Sequence, residues 1–134
     1  MATMTQAAPA SKKALWTGRT LSGLTIVMLA MDGIMKLVKP GPVVEAMAKL
    51  GYQDGVTMGI GVLLLVCTIL YAIPRTAVLG AILLTGYLGG ATASHVRVGE
   101  PPFPVIFPEI LGALIWGALL LRDARLRDFL PIRR

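Results

Sequence analysis

An all-α integral membrane protein is the fold class the sequence predicts: an antiparallel up-down four-helix bundle with a short interfacial helix between helices 1 and 2. Three observations predict it. The 134-residue chain has a mean hydropathy of +0.73 and 55% apolar residues, too apolar for an ordinary water-soluble domain. The apolar residues gather into four runs, about 20–38, 56–73, 76–95 and 103–122, each near the length needed to cross roughly 30 Å of hydrocarbon at about 1.5 Å per residue. Between the runs stand Pro40, Pro42, Pro74 and the group Pro101, Pro102 and Pro104, which punctuate helices because proline has no amide donor. The length suits one domain, residues 19–134, behind a flexible tail, residues 1–18.

The tail is rich in Ala, Thr and Pro and ends at Lys12, Lys13 and Arg19, with Trp16 at the level of the headgroups. The run that follows resembles a signal sequence, but Asp32 and Lys36 interrupt it and no small-x-small cleavage site follows it. It is expected to stay as helix 1. Beyond Lys39-Pro40-Gly41-Pro42, residues Val43, Val44, Met47 and Leu50 share one side of a helical wheel, with Glu45 and Lys49 on the other. That pattern predicts an interfacial helix of about two turns, able to act as a lid.

Helix 2 is uncharged from Val56 to Ile73. Only Pro74-Arg75 parts it from helix 3, which requires a tight hairpin. Helix 3 carries no charge from Thr76 to Ser94 and bears small residues at four-residue spacing: Ala81, Thr85, Gly89 and Ala93 on one line, Gly86, Gly90 and Ser94 on the next. Such lines let neighbouring helices approach closely. Helix 4 carries Pro108-Glu109 near its start and a basic tail after Leu121.

Four spans put both termini on one side. Lys12, Lys13, Arg19, Arg75, Arg122, Arg125, Arg127, Arg133 and Arg134 lie there, against Lys39, Lys49 and Arg97 on the other side, so the positive-inside bias places both termini in the cytoplasm. The net charge of +6 sits at the ends of apolar runs and not on a basic face interleaved with aromatics, so no nucleic acid is expected as partner. The expected contacts are the lipid bilayer and either a second copy or a partner membrane subunit.

A charge at bilayer depth costs on the order of 3 kcal/mol, so each one inside a span asks for a reason. Asp32 lies about 9 Å below the outer end of helix 1, with Lys36 nearer the surface. Helix 3 delivers His95 and Arg97 to the same end, and helix 4 starts there and carries Glu109. These five residues are the candidate ligand-binding set. Each also has a plainer reading. Asp32 and Lys36 stand i,i+4 and can neutralise each other. Glu109 after Pro108 can serve a helix N-terminus, His95 can cap a helix end, and Arg97 can reach lipid phosphate. Together they suit the polar head of a lipid-soluble ligand such as a quinone, whose carbonyls accept hydrogen bonds from Lys36, His95 or Arg97 while Asp32 or Glu109 exchanges protons. One histidine and scattered carboxylates make a poor metal set, so no metal is expected. Cys67, the only cysteine, rules out an internal disulfide and a Cys-x-x-Cys pair.

The stretch Ile73 to Ala91, the His95-Val96-Arg97 exit, the Val44-Glu45-x-Met47 and Leu50-Gly51-Tyr52 segment and the closing Leu121-Arg122-Asp123 resemble the DoxX-like family of small bacterial membrane proteins, over about Ser22 to Arg134. The resemblance implies a four-helix protein of the bacterial inner membrane. DoxX itself is named for a subunit associated with a thiosulfate:quinone oxidoreductase, and relatives are linked to redox or thiol-stress complexes. Other four-helix quinone partners use cysteine pairs, which a chain with Cys67 alone does not have. The reading that follows is an accessory or redox-associated subunit binding a quinone-like lipid near the outer leaflet, with catalysis left open and, where there is any, that of a quinone-linked oxidoreductase subunit. The alternatives are a structural or assembly subunit without ligand chemistry, and an oligomeric small-molecule permease, disfavoured by four spans without an inverted repeat.

Overall fold

Ser11 starts the first helix: its hydroxyl accepts the amide of Ala14 at 3.1 Å, satisfying a donor that the first turn leaves without a partner. The computed structural model describes residues 11–129. Among them the elements are α1 (Lys12–Val38), α2 (Gly41–Lys49), α3 (Asp54–Ala72), α4 (Ala77–Arg97), α5 (Pro102–Arg122) and α6 (Arg125–Phe129), with a single 3-10 turn, Pro74–Thr76, between α3 and α4. Residues 1–10 of the expected tail lie outside the described residues. Residues 12–18, assigned to that tail from sequence, form the first turns of α1 because Ser11 supplies the cap.

The segments Lys12–Val38, Gly55–Ala72, Pro74–Arg97 and Pro102–Arg122 are long and apolar enough to cross a membrane. Their large side chains point outward as well as inward: Leu24, Val27, Val66, Ile69, Leu79 and Ile82 are all exposed, an arrangement that suits hydrocarbon and not water. The protein is a multi-pass membrane bundle in contact with lipid. α1 packs on α3 and α5, and α4 packs on the same two, so consecutive spans are neighbours around a ring with α5 closing onto α1. Trp16 lies exposed near the start of α1, with the Arg19 guanidinium 5.5 Å from its ring centroid.

The core is centred on Tyr71, Leu64, Leu84 and Ile115, all fully buried. Tyr71 donates its one hydroxyl proton to the carbonyl of Ile115 at 2.8 Å, so the Ser22 hydroxyl, 3.3 Å away, must be the donor in their bond. One phenol thereby ties α3 to α1 and α5. Tyr71→Phe keeps the ring but leaves buried Ser22 and the Ile115 carbonyl without it, and is expected to cost about 1–3 kcal/mol of unfolding free energy, measured by thermal or denaturant unfolding in detergent.

The hairpin between α3 and α4 closes on Gly80. A β-carbon there would run into the backbone of Tyr71 and Leu70, so only glycine allows the two helices this approach. The small-residue lines on α4 behave differently from expectation beyond this point. Ala81 is fully buried, but a β-carbon on Gly86, Gly89 or Gly90 would meet nothing within 4 Å. In this half of α4 the missing side chains leave space and do not bring a helix closer.

α2 carries Met47 and Leu50 on its buried side and Glu45 and Lys49 on its exposed side, the amphipathic helix expected from the wheel. It is turned at both ends by left-handed backbone, Lys39 at φ 55° and Gly51 at φ 90°. α5 begins at Pro102, where prolines cost no intrahelical bond, and runs continuously through buried Pro108. The helix thus starts within a residue of the run that begins at 103, and the plainer reading of Glu109 as a carboxylate at the helix N-terminus does not hold, since Glu109 lies about two turns in.

Candidate functional site

The space left by Gly86 and Gly90 is part of a cleft of about 740 Å³ at the end of the bundle where α2 lies. All four spans line it, α2 contributes Met47 and the following residues Leu50 and Tyr52, and most of the lining is apolar, from Met28 and Leu29 on α1 to Phe107 and Leu111 on α5. Such a size and surface match a lipid-soluble ring with part of its tail.

Three of the five candidate residues line this cleft: Asp32, Lys36 and His95. Lys36 donates to Asp32 at 2.6 Å, the i,i+4 pair that their spacing allows; the lysine side chain is 12% exposed and the aspartate 52%. Opposite them on α4, His95 has a buried Nδ1 with no hydrogen-bond partner among the described residues. A polar atom buried without a partner is costly, and the residue that carries it lines the cleft. Between these groups Ser94 shares a 2.6 Å hydrogen bond with the Tyr52 hydroxyl and donates to the Gly90 carbonyl at 2.9 Å.

A family model described as the DoxX-like family matches residues 20–118, most of the chain. The chain belongs to the DoxX-like family. No curated protein and no solved structure gives a significant match. The matched segment of this DoxX-like chain takes in the whole cleft lining and stops short of Leu121-Arg122-Asp123.

The other two candidates are placed elsewhere in the DoxX-like bundle. Arg97 lies outside the cleft, and its Nη2 donates to the Leu50 carbonyl at 2.6 Å, a cation on the C-terminal end of α2. It ties down the end of α2, which contributes Met47 to the cleft lining. Glu109 is exposed on the α4/α5 surface, where it accepts the Thr92 hydroxyl at 2.9 Å. Farther along the same seam Trp116 donates to the Thr85 hydroxyl at 2.7 Å. Since Glu109 does not line the cleft, Glu109→Gln is expected to leave the affinity for a cleft ligand within about twofold, read by equilibrium binding; a larger loss would return Glu109 to the site.

Sequence reasoning passed over Tyr52, Tyr87 and Ser94, all of which line the cleft. Tyr87 had a signal, a lone aromatic ring between Gly86 and the pair Gly89-Gly90, which marks a side chain standing in open space. Tyr52 had none, because it reaches Ser94 only through the turn after α2. Among the described residues no His, Cys, Asp or Glu side chains gather closely enough to hold a metal ion, and Cys67 is a buried free thiol.

Proposed function

We propose that this DoxX-like protein holds a quinone-like lipid in the cleft under α2 and serves as an accessory, redox-associated subunit in a bacterial inner membrane. The observation that carries the reading is one cleft combining a long apolar lining with an ion pair and a histidine whose Nδ1 has no hydrogen-bond partner. The ring and tail lie against the methionine and leucine side chains, and the carbonyls accept from Lys36 and His95. The bias of basic residues sets both termini in the cytoplasm, which puts α2 and the cleft toward the outer leaflet. Asp32, held by Lys36, sets the direction of the ammonium.

Native mass spectrometry of protein extracted gently from its own membrane, followed by organic extraction, tests this. The expected result is a stoichiometric quinone or isoprenoid in the wild type that is lost in His95→Ala and Lys36→Ala. Bulk phospholipid alone, with a second protein co-purifying, would replace the reading with that of an assembly subunit.

A further inference from the structure

A carboxylate stands on the outward surface of a membrane span without a counter-ion. Glu109 is exposed on α5, about 10 Å beyond Pro102 at about 1.5 Å per residue, within the segment Pro102–Arg122 that is apolar enough to cross a membrane. It does not line the cleft. Its side-chain partner among the described residues is Thr92, at 2.9 Å. That hydroxyl has a single proton, for which the Val105 carbonyl at 3.3 Å also competes, so Thr92 gives the carboxylate one hydrogen bond at most. The ion pairs of the described residues join Lys36 to Asp32 and Arg125 to Asp123, and neither reaches Glu109. Ionisable side chains within spans are costly, and they face a bundle interior or pair with an opposite charge. Asp32, the other carboxylate within a span, has its lysine; Glu109 has none.

The surface around this carboxylate has the shape of a shallow track along the helices. On α4, Thr85, Gly89 and Ala93 follow one another at four-residue spacing and are all exposed, and Ala113 follows Glu109 on α5 in the same way. A β-carbon on Gly89 would meet nothing within 4 Å. About 10 Å beyond Glu109 the track reaches Trp116, whose indole donates to the Thr85 hydroxyl at 2.7 Å. Other outward faces are built from large apolar side chains such as Leu24, Val66 and Ile69. A helix lying along the seam covers a polar, small-sided track of this length, whereas a lipid headgroup meets only the end nearest Pro102.

Charge decides which helix that is. A second copy docked face to face, about an axis along the membrane normal, sets Glu109 against Glu109 at one depth, and like charges repel. Lys36, the lysine inside a span at the α2 end of the bundle, is already closed on Asp32. We propose that the α4/α5 seam docks a transmembrane helix of another protein, one that carries a lysine or arginine at the depth of Glu109. The cation closes on the carboxylate oxygen that Thr92 leaves free, and the partner's backbone lies over Gly89 and Ala93. The cleft takes no part in this contact, so the seam and the cleft stand or fall separately.

The test uses full-length protein carrying a donor fluorophore in phosphatidylcholine vesicles. The probes are acceptor-labelled transmembrane peptides of about 23 leucine and alanine residues, with one lysine, leucine or glutamate about eight residues from one end. Energy transfer at rising peptide-to-lipid ratio reads association. The lysine peptide is expected to associate about tenfold more tightly than the leucine peptide. Glu109→Gln keeps an acceptor for Thr92 and should abolish that preference, and Glu109→Lys should hand it to the glutamate peptide, an exchange that a merely structural carboxylate would not show. Gly89→Leu fills the track and should weaken the lysine peptide about tenfold. Thermal unfolding near the wild-type temperature shows that the variants fold. Lysine and leucine peptides that associate alike, or not at all, would overturn the inference. So would energy transfer between copies of this chain that Gly89→Leu abolishes, which would assign the seam to a second copy. Failure of decyl-benzoquinone to bind the wild type in the same vesicles would overturn the cleft reading and leave the seam standing.

Discussion

Alanine at Gly80 is expected to destabilise the whole bundle by about 3 kcal/mol or more. The added β-carbon falls 2.6 Å from the Cα of Tyr71 and 2.8 Å from the carbonyl carbon of Leu70, and backbone atoms cannot rotate away as a side-chain end would. α3 and α4 are joined by a single short turn, so α4 has no slack in which to retreat without moving Tyr71 itself. Any such shift pulls the phenol from the Ile115 carbonyl and from Ser22, adding lost hydrogen bonds to the overlap. The comparison that makes the result specific is Gly89→Ala, on the same helix with open space at its β-carbon, which should unfold at the wild-type temperature. Thermal unfolding in detergent measures both. A Gly80→Ala variant as stable as the wild type would mean that the hairpin is not closed as described.

The second large effect belongs to the ion pair. Asp32→Ala leaves the ammonium of Lys36, at 12% exposure, without its carboxylate. Breaking a fully buried pair costs about 3–5 kcal/mol; because Asp32 is half exposed, about 2 kcal/mol is expected here. Asp32→Ala/Lys36→Leu removes the stranded charge as well and should return to within about 1 kcal/mol of the wild type, since an apolar pair of similar volume suits this apolar lining. Unfolding of the two single variants and the double variant forms a double-mutant cycle. If Asp32→Ala and the double variant fall by the same amount, the aspartate contributes through some other contact. Ligand affinity should separate from stability in the same set: the double variant regains stability but not binding, because the Lys36 donor is gone.

What the sequence made legible follows how locally each feature is encoded. The four spans, the hairpin turn at Pro74-Arg75, the amphipathic α2 and the Asp32–Lys36 pair all depend on residues within a few positions of each other, and each stands where local reading puts it. Glu109 stands about two turns into its helix, as the sequence has it, but which side of α5 it occupies is not encoded locally: the helix turns it to Thr92 on the α4/α5 surface and away from the cleft. The cleft itself was not legible. It depends on the rotation of four helices about their own axes, and the same glycines serve equally for close packing, as at Gly80, and for empty space, as at Gly86 and Gly90. Arg97 shows the same limit: its partner is a backbone carbonyl 47 positions away, and a carbonyl leaves no mark on sequence.

The mounting of α2 gives the molecule two separate stabilities. The four spans are fastened through a buried core, whereas α2 is set between two left-handed residues and is held by Arg97 on the Leu50 carbonyl and by Tyr52 on Ser94 in the turn that follows. Lys39 occupies a backbone region that costs a non-glycine residue about 1 kcal/mol or more, so one end of α2 is already under tension. Sub-global opening at this corner breaks a handful of bonds and leaves Tyr71 and its partners undisturbed. If the cleft holds a ligand as proposed, opening of this one short helix would bear on how fast it leaves, and the cleft lining on how tightly it binds. Substitutions at Lys39, Gly51 or Arg97 would then act on the mounting of α2 without altering a side chain that lines the cleft.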